Sequence, residues 1–163
     1  MTTPRWLNDE EQALWRLMLA ASRKMDRCLD ETLQAGNDLS TSEFSVLVSL
    51  SEAKAPGLRL RDLCTVLDWD RSRTSHQITR MEKRGLVSKE SCEGDARGVI
   101  VVLTEEGARR LERAAPDHVE SVRRLIFDHL TQEQADVIGS FLETLMAVQS
   151  VPGAAGFEAE EPA

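Results

Sequence analysis

No stretch of this chain approaches the ~18 consecutive apolar residues that a membrane helix requires, so no membrane-spanning segment is expected. Its first residues, MTTPRWLNDEE, lack the apolar core of a signal peptide, and a cytoplasmic protein is the expectation. Cysteine is scarce: Cys28, Cys64 and Cys92 are odd in number and form no CxxC pair, which gives no disulfide framework and suits a reducing compartment. Histidine is equally sparse, and His76, His118 and His129 show no close ligand pairing, so neither a metal nor a cofactor is expected. Catalytic signatures are missing too. There is no phosphate-binding glycine loop, no GxSxG elbow and no HExxH, and the adjacent Ser75 and His76 would point about 100° apart on a helix, which spoils a nucleophile-base contact. The expectation is a protein that is not an enzyme.

What is present suffices for a folded chain. With 163 residues, 41% hydrophobic and 29% charged, it can bury a real core in one or two compact units. The net charge of −8 is an unpromising total for a nucleic-acid partner, but it is unevenly spread. Residues 59–97 hold nine Lys or Arg against seven Asp or Glu, a balance of +2, while the remainder holds eleven against twenty-one, a balance of −10. A local basic surface on an acidic body can hold a polyanion only where that surface faces it, with steep dependence on salt.

Within that region, residues 58–104 have the organisation of a winged helix-turn-helix. Leu60, Leu63, Cys64 and Leu67 repeat at helical spacing and predict a short helix with one apolar face. Asp68, Trp69 and Asp70 form a tight corner, with Asp70 placed to cap the next helix. That second helix carries a narrow packing stripe of Ile78 and Met81, with Thr74 and Ser75 one turn earlier. Its remaining surface offers Arg71, Ser72, Arg73, Ser75, His76, Gln77, Arg80 and Lys83. Arg73, His76, Gln77 and Arg80, at spacings of three and four, can enter one major groove side by side, where arginine pairs with guanine and glutamine with adenine. A solvated helix face with no partner is the plain alternative. Gly85 stops the helix, and residues 86–91 and 99–103 are β-favouring runs around a turn at 93–98, a hairpin wing with a charged tip.

Helices flank this module. Asn8 caps one opened by Asp9, Glu10 and Glu11, whose stripe of Leu14, Leu17, Met18, Met25, Leu29 and Leu33 runs to about Ala35. It is long for so small a domain, and its stripe calls for a second subunit. Ser40 and Glu43 have capping-box spacing, and Leu39 and Phe44 that of a hydrophobic staple, for a helix ending near Ala53. After the wing, Thr104 caps a helix running to about His129, which Pro116 should kink or divide. Thr131 and Gln134 open a last helix with Ile138, Phe141, Leu142, Leu145 and Met146 on its buried face.

The run from Arg80 to Val87, then Asp95-Ala96-Arg97, then Leu103-Thr104-Glu105-Glu106-Gly107 resembles the MarR family of bacterial transcription regulators, over roughly residues 6–150. The resemblance implies a homodimer on double-stranded DNA, with the helix from Arg71 in the major groove, a wing Arg97 reaching the minor groove, and Asp95 helping to hold that arginine. Many members carry a second basic residue where Ala96 stands, so this wing is expected to grip less strongly. It also implies a site for a small aromatic or phenolic effector, which Trp6, Trp15, Arg16 and Met25 could line. Core and dimer contact is the commoner role for such side chains. Some members sense oxidants through cysteine; here Cys28 and Cys64 lie on apolar helix faces, and nothing beside Cys92 in sequence lowers its pKa, while the neighbouring acids would raise it.

The chain is thus read as mainly α with a small β-hairpin wing: residues 1–35 and 104–150 form dimerisation helices, 36–103 the DNA-binding winged helix-turn-helix, and 151–163 an acidic disordered tail. The function expected is a sequence-specific repressor on a near-palindromic operator, released by a small aromatic ligand. A winged-helix adaptor that never touches DNA and a redox-sensing regulator stay open as alternatives; the outward row with Arg97 is what an adaptor would not need.

Overall fold

The computed structural model describes residues 4–92, 95–149 and 151, without the side chains of residues 92–97. Expectations for the tip residues 93 and 94, the side chains of Asp95, Arg97 and Cys92, and the tail beyond Val151 lie outside the described residues. The chain divides after Arg123 into two compact units.

In the first unit, α1 (Asp9–Asn37) starts after the expected Asn8 cap, which forms a capping box: the Asn8 side chain accepts from the Glu11 amide and the Glu11 carboxylate accepts from the Asn8 amide. Its 29 residues make a rod ~44 Å long. Leu33 near its end is buried, whereas Leu14, Trp15, Leu17 and Met18 stand exposed. The Ser40–Glu43 capping box opens α2 (Thr41–Ser51), which supplies Phe44, Val46, Leu47 and Leu50 to the core. Then follow β1 (Leu58–Arg59), α3 (Leu60–Leu67), α4 (Arg71–Lys83), β2 (Val87–Cys92), β3 (Asp95–Leu103) and α5 (Glu105–Leu125). Leu63, Ile78, Met81, Leu86, Val87, Val101 and Ala114 complete one core beneath α4.

The wing differs from a simple hairpin. β1 joins it, pairing Leu58 with Val101 and Arg59 with Ile100, so the sheet has three antiparallel strands in the order β1-β3-β2. A two-residue strand carries too little alternation to be seen in sequence. β3 also begins earlier than expected, at Asp95 opposite Cys92, with a register shift at Ser91/Cys92, so residues 95–98, anticipated as part of a turn at 93–98, belong to the strand.

Pro116 does not divide α5, which runs unbroken from Glu105 to Leu125 before a short 3-10 turn at Phe127–His129. Loss of one backbone donor is offset by packing, since Ala114 just before it is fully buried. His118, two residues on, lays its ring 4.4 Å from that of Phe44, and burial lowers its pKa.

The second unit contains α6 (Gln132–Ala147), opened by the Thr131–Gln134 capping box. The face expected to be buried, Ile138, Phe141, Leu142, Leu145 and Met146, is exposed in the single chain, and α6 has no buried residue.

Candidate nucleic-acid interface

α4 starts and stops as its sequence dictates. The Asp70 carboxylate accepts from the Arg73 amide at 2.8 Å. At the other end Gly85 takes φ +72°, while the amides of Gly85 and Leu86 donate back to the carbonyls of Glu82 and Met81, which closes the helix without a Cβ penalty. Between these ends Thr74, Gln77, Ile78 and Met81 face inward and Arg71, Ser72, Arg73, Ser75, His76, Arg80 and Lys83 face out.

Two placements correct the sequence reading. Gln77, expected in the outward row, is 4% exposed, and its Oε1 accepts from Arg80. It lies one turn before Met81 and next to Ile78, on the edge of the packed stripe, so its amide cannot enter a groove without leaving the core. Ser75, placed by periodicity beside the packed stripe and also offered as a DNA contact, is exposed, as only the second placement allows. The outward stripe is therefore Arg73, His76, Arg80 and Lys83, at spacings of three, four and three along a helix ~20 Å long.

Among the described residues the three cations of this row are not spent on the protein's own acids. The Arg73 guanidinium sits 4.3 Å from the centre of the Trp69 ring, a cation-π contact that orders it before any partner arrives. Among the described residues no carboxylate pairs with Arg73, His76, Arg80 or Lys83. Arg84, by contrast, turns inward: its two nitrogens donate to both oxygens of buried Glu43 at 2.7 and 2.8 Å, and to the carbonyl and carboxylate of Asp38 at 2.6 and 2.7 Å. Arg110 of α5 reaches the same Asp38 and the carbonyl of Asn37, and its hydrogen bond to Glu106 raises its own pKa. The end of α4 is thereby tied to the end of α1, the start of α2 and the start of α5. Nothing in the spacing of these residues signals that junction.

Lys89 of β2 joins the wing to α4, 2.8 Å from Glu82, and its hydrogen bond holds that carboxyl below its ordinary pKa. Thr104 links α4 to α5 by donating to the Gly85 carbonyl at 2.6 Å and accepting from the Gly107 amide at 3.0 Å. β2 and the start of α5 are thereby tied to α4.

The other candidate residues are placed as follows. Trp6 and Trp15 are exposed, Arg16 donates to Gln12 one turn back, and Met25 is half-buried. Cys28 and Cys64 are free thiols, each half-buried, and the Cys64 sulfur lies 3.3 Å from the Thr74 hydroxyl.

An exposed cationic helix, seated on a short helix and flanked by a three-stranded wing, matches known proteins closely. The MarR family model matches residues 39–99. The crystal structure of AbsC, a MarR family transcriptional regulator from Streptomyces coelicolor, is 40% identical, covers 88% of this chain and 96% of its own, and superposes with a TM-score of 0.84. The chain belongs to the MarR family. A second MarR-family regulator from Streptomyces coelicolor, Sco3205, solved in complex with DNA, is 38% identical with a TM-score of 0.87, covering 95% of this chain and 97% of its own. The regulator PecS of Dickeya dadantii is 29% identical over 111 residues, 68% of this MarR-family chain and 66% of PecS.

Proposed function

We propose that this MarR-family transcriptional regulator is a cytoplasmic homodimer that represses transcription by binding a near-palindromic operator, and that it is not an enzyme. The observation that carries this reading is the row Arg73, His76, Arg80 and Lys83, exposed on one side of α4 with no acidic partner among the described residues. An acidic chain of net charge −8 that keeps such a row unneutralised has a polyanion to meet. In this reading α4 lies in the major groove, with Arg73, preset by Trp69, and His76 as base readers, Arg71, Ser72, Ser75, Arg80 and Lys83 on the sugar-phosphate backbone or base edges, and Arg97 in the adjacent minor groove beside Asp95. Gln77 supports the helix rather than reading a base. Residues 1–35 and 104–150 serve dimerisation, and 36–103 DNA binding. Release by a small aromatic or phenolic anion completes the scheme, with Trp6, Trp15, Arg16 and Met25 supplying aromatic and cationic surface on or before α1.

Two variants test the division of labour. Arg97→Ala should weaken binding by the same factor on related and unrelated duplexes and lower the slope of log K against log salt by about 0.9. Arg73→Ala should change base preference at one position of each half-site, with a discrimination loss of about 1–3 kcal/mol. Titrations of labelled duplexes at several salt concentrations read both. A uniform loss for Arg73→Ala, with preference unchanged, would remove it as a base reader.

A further inference from the structure

Between α3, the first residue of α4 and the base of the wing lies a concavity of ≈ 440 Å³, of whose lining only Arg71 has a role in the proposed function. Three arginines line it, Arg59 at the end of β1, Arg61 in the first turn of α3 and Arg71 at the start of α4, around a floor that includes Leu60, Cys64 and Val99. Among the described residues its lining holds no Asp or Glu, in a chain with 28 acidic residues against 20 Lys and Arg. Arg61 and Arg71 are exposed. The contact of Arg61 with neighbouring Asp62, at 3.4 Å between two exposed side chains, is one that water screens and a stronger anion displaces at little cost.

The occupant follows from the shape of a duplex. A helix in the major groove and a wing in the next minor groove straddle the sugar-phosphate backbone that divides those grooves, and that strand must pass between α4 and β3. The concavity lies between those two elements. Its volume exceeds that of one phosphate and admits a deoxyribose with it: the apolar floor of Leu60, Val99 and Cys64 meets the sugar, and the guanidinium groups meet phosphate oxygens with paired N–H donors. The geometry points to a seat for one strand of the DNA backbone in this concavity, with Arg61 and Arg71 as its phosphate contacts. This rests on the DNA-binding reading, which it deepens by adding Arg61, a residue that no periodicity singled out, and by giving Arg71 a defined partner.

Cys64 in the floor provides a reporter that does not depend on DNA binding. In a Cys28→Ser, Cys92→Ser background, an anionic methanethiosulfonate should modify Cys64 about 10-fold faster than a cationic one at low salt. Arg61→Gln with Arg71→Gln should bring the two rates together. Equal rates in the parent, or no reaction with either reagent, would overturn the seat whatever the chain does with DNA. In the second arm, Arg61→Gln and Arg71→Gln should each lower affinity by one factor on all duplexes and reduce the salt slope by about 0.9, and saturating duplex should block Cys64 labelling. Binding with unchanged slope, or a duplex that binds and leaves Cys64 fully reactive, would exclude the backbone from the concavity. Protection by millimolar inorganic phosphate, without protection by bound duplex, would assign the site to a free anion and overturn the proposal. Charge-selective labelling in a chain that binds no duplex would instead overturn the proposed function and, with it, the backbone as occupant.

Discussion

Leu142→Glu should leave the proposed homodimer a monomer and reduce its affinity for a duplex carrying two half-sites by about 100-fold or more. In the single chain, Ile138, Phe141, Leu142 and Leu145 of α6 share one exposed side of a helix that buries none of its own residues. α1 exposes Leu14, Trp15, Leu17 and Met18 along its first half. Folded monomers rarely leave apolar surface of this extent uncovered, and a second copy of the same chain is the simplest cover. A carboxylate placed in such an interface costs several kcal/mol when desolvated without a partner. Separating the two reading helices then removes the tethering that makes the second half-site contact intramolecular, a gain of about 10²–10⁴ in affinity. Light scattering and DNA titration on the same preparation check both parts. A variant that stays dimeric and binds normally would place the dimer contact elsewhere.

Gly107→Ala should destabilise the fold by about 3 kcal/mol, the upper range for overpacking. Gly107 is in the first turn of α5, and a Cβ built on it would stand 2.1 Å from the carbonyl oxygen of Leu86 and 2.9 Å from the Leu103 side chain. The nearest atom is backbone, so the contact cannot be relieved by a rotamer change; α5 must lift from the start of β2. That movement would also stretch the Thr104 hydroxyl bridge between the Gly85 carbonyl and the Gly107 amide. The denaturation midpoint should fall, and DNA affinity should fall with it where the wing shifts against α4. A variant as stable as the parent would mean that this packing is looser than its geometry states.

The parts of the fold that were legible in the sequence are those with local causes. Asn8 marked a helix start as a cap, and Ser40 with Glu43 and Thr131 with Gln134 each marked one by capping-box spacing within four residues; all three caps form. Gly85 marked the end of α4 because its left-handed backbone is a property of one residue. What was hidden depended on distant partners. β1 exists because Leu58 and Arg59 meet Val101 and Ile100, some forty residues later, and two residues leave no readable alternation. Arg84 carries no local sign of its role, because its partners Asp38 and Glu43 lie over forty positions earlier. Gln77 was misplaced for a geometric reason: the packed stripe of α4 is wider than Ile78 and Met81 alone define, and a residue four before Met81 falls on its margin. The concavity holding Arg59, Arg61 and Arg71 needs three elements folded together, so spacing could not assemble it.

The most direct test of the central claim, that two copies present their α4 helices to one duplex, is selection of bound fragments from a random double-stranded pool by the full chain. The account predicts enrichment of a near-palindrome with half-site centres about 10 base pairs apart, occupied by two chains. Enrichment of a single unpaired half-site bound by one chain, or no enrichment above the starting pool, would contradict it.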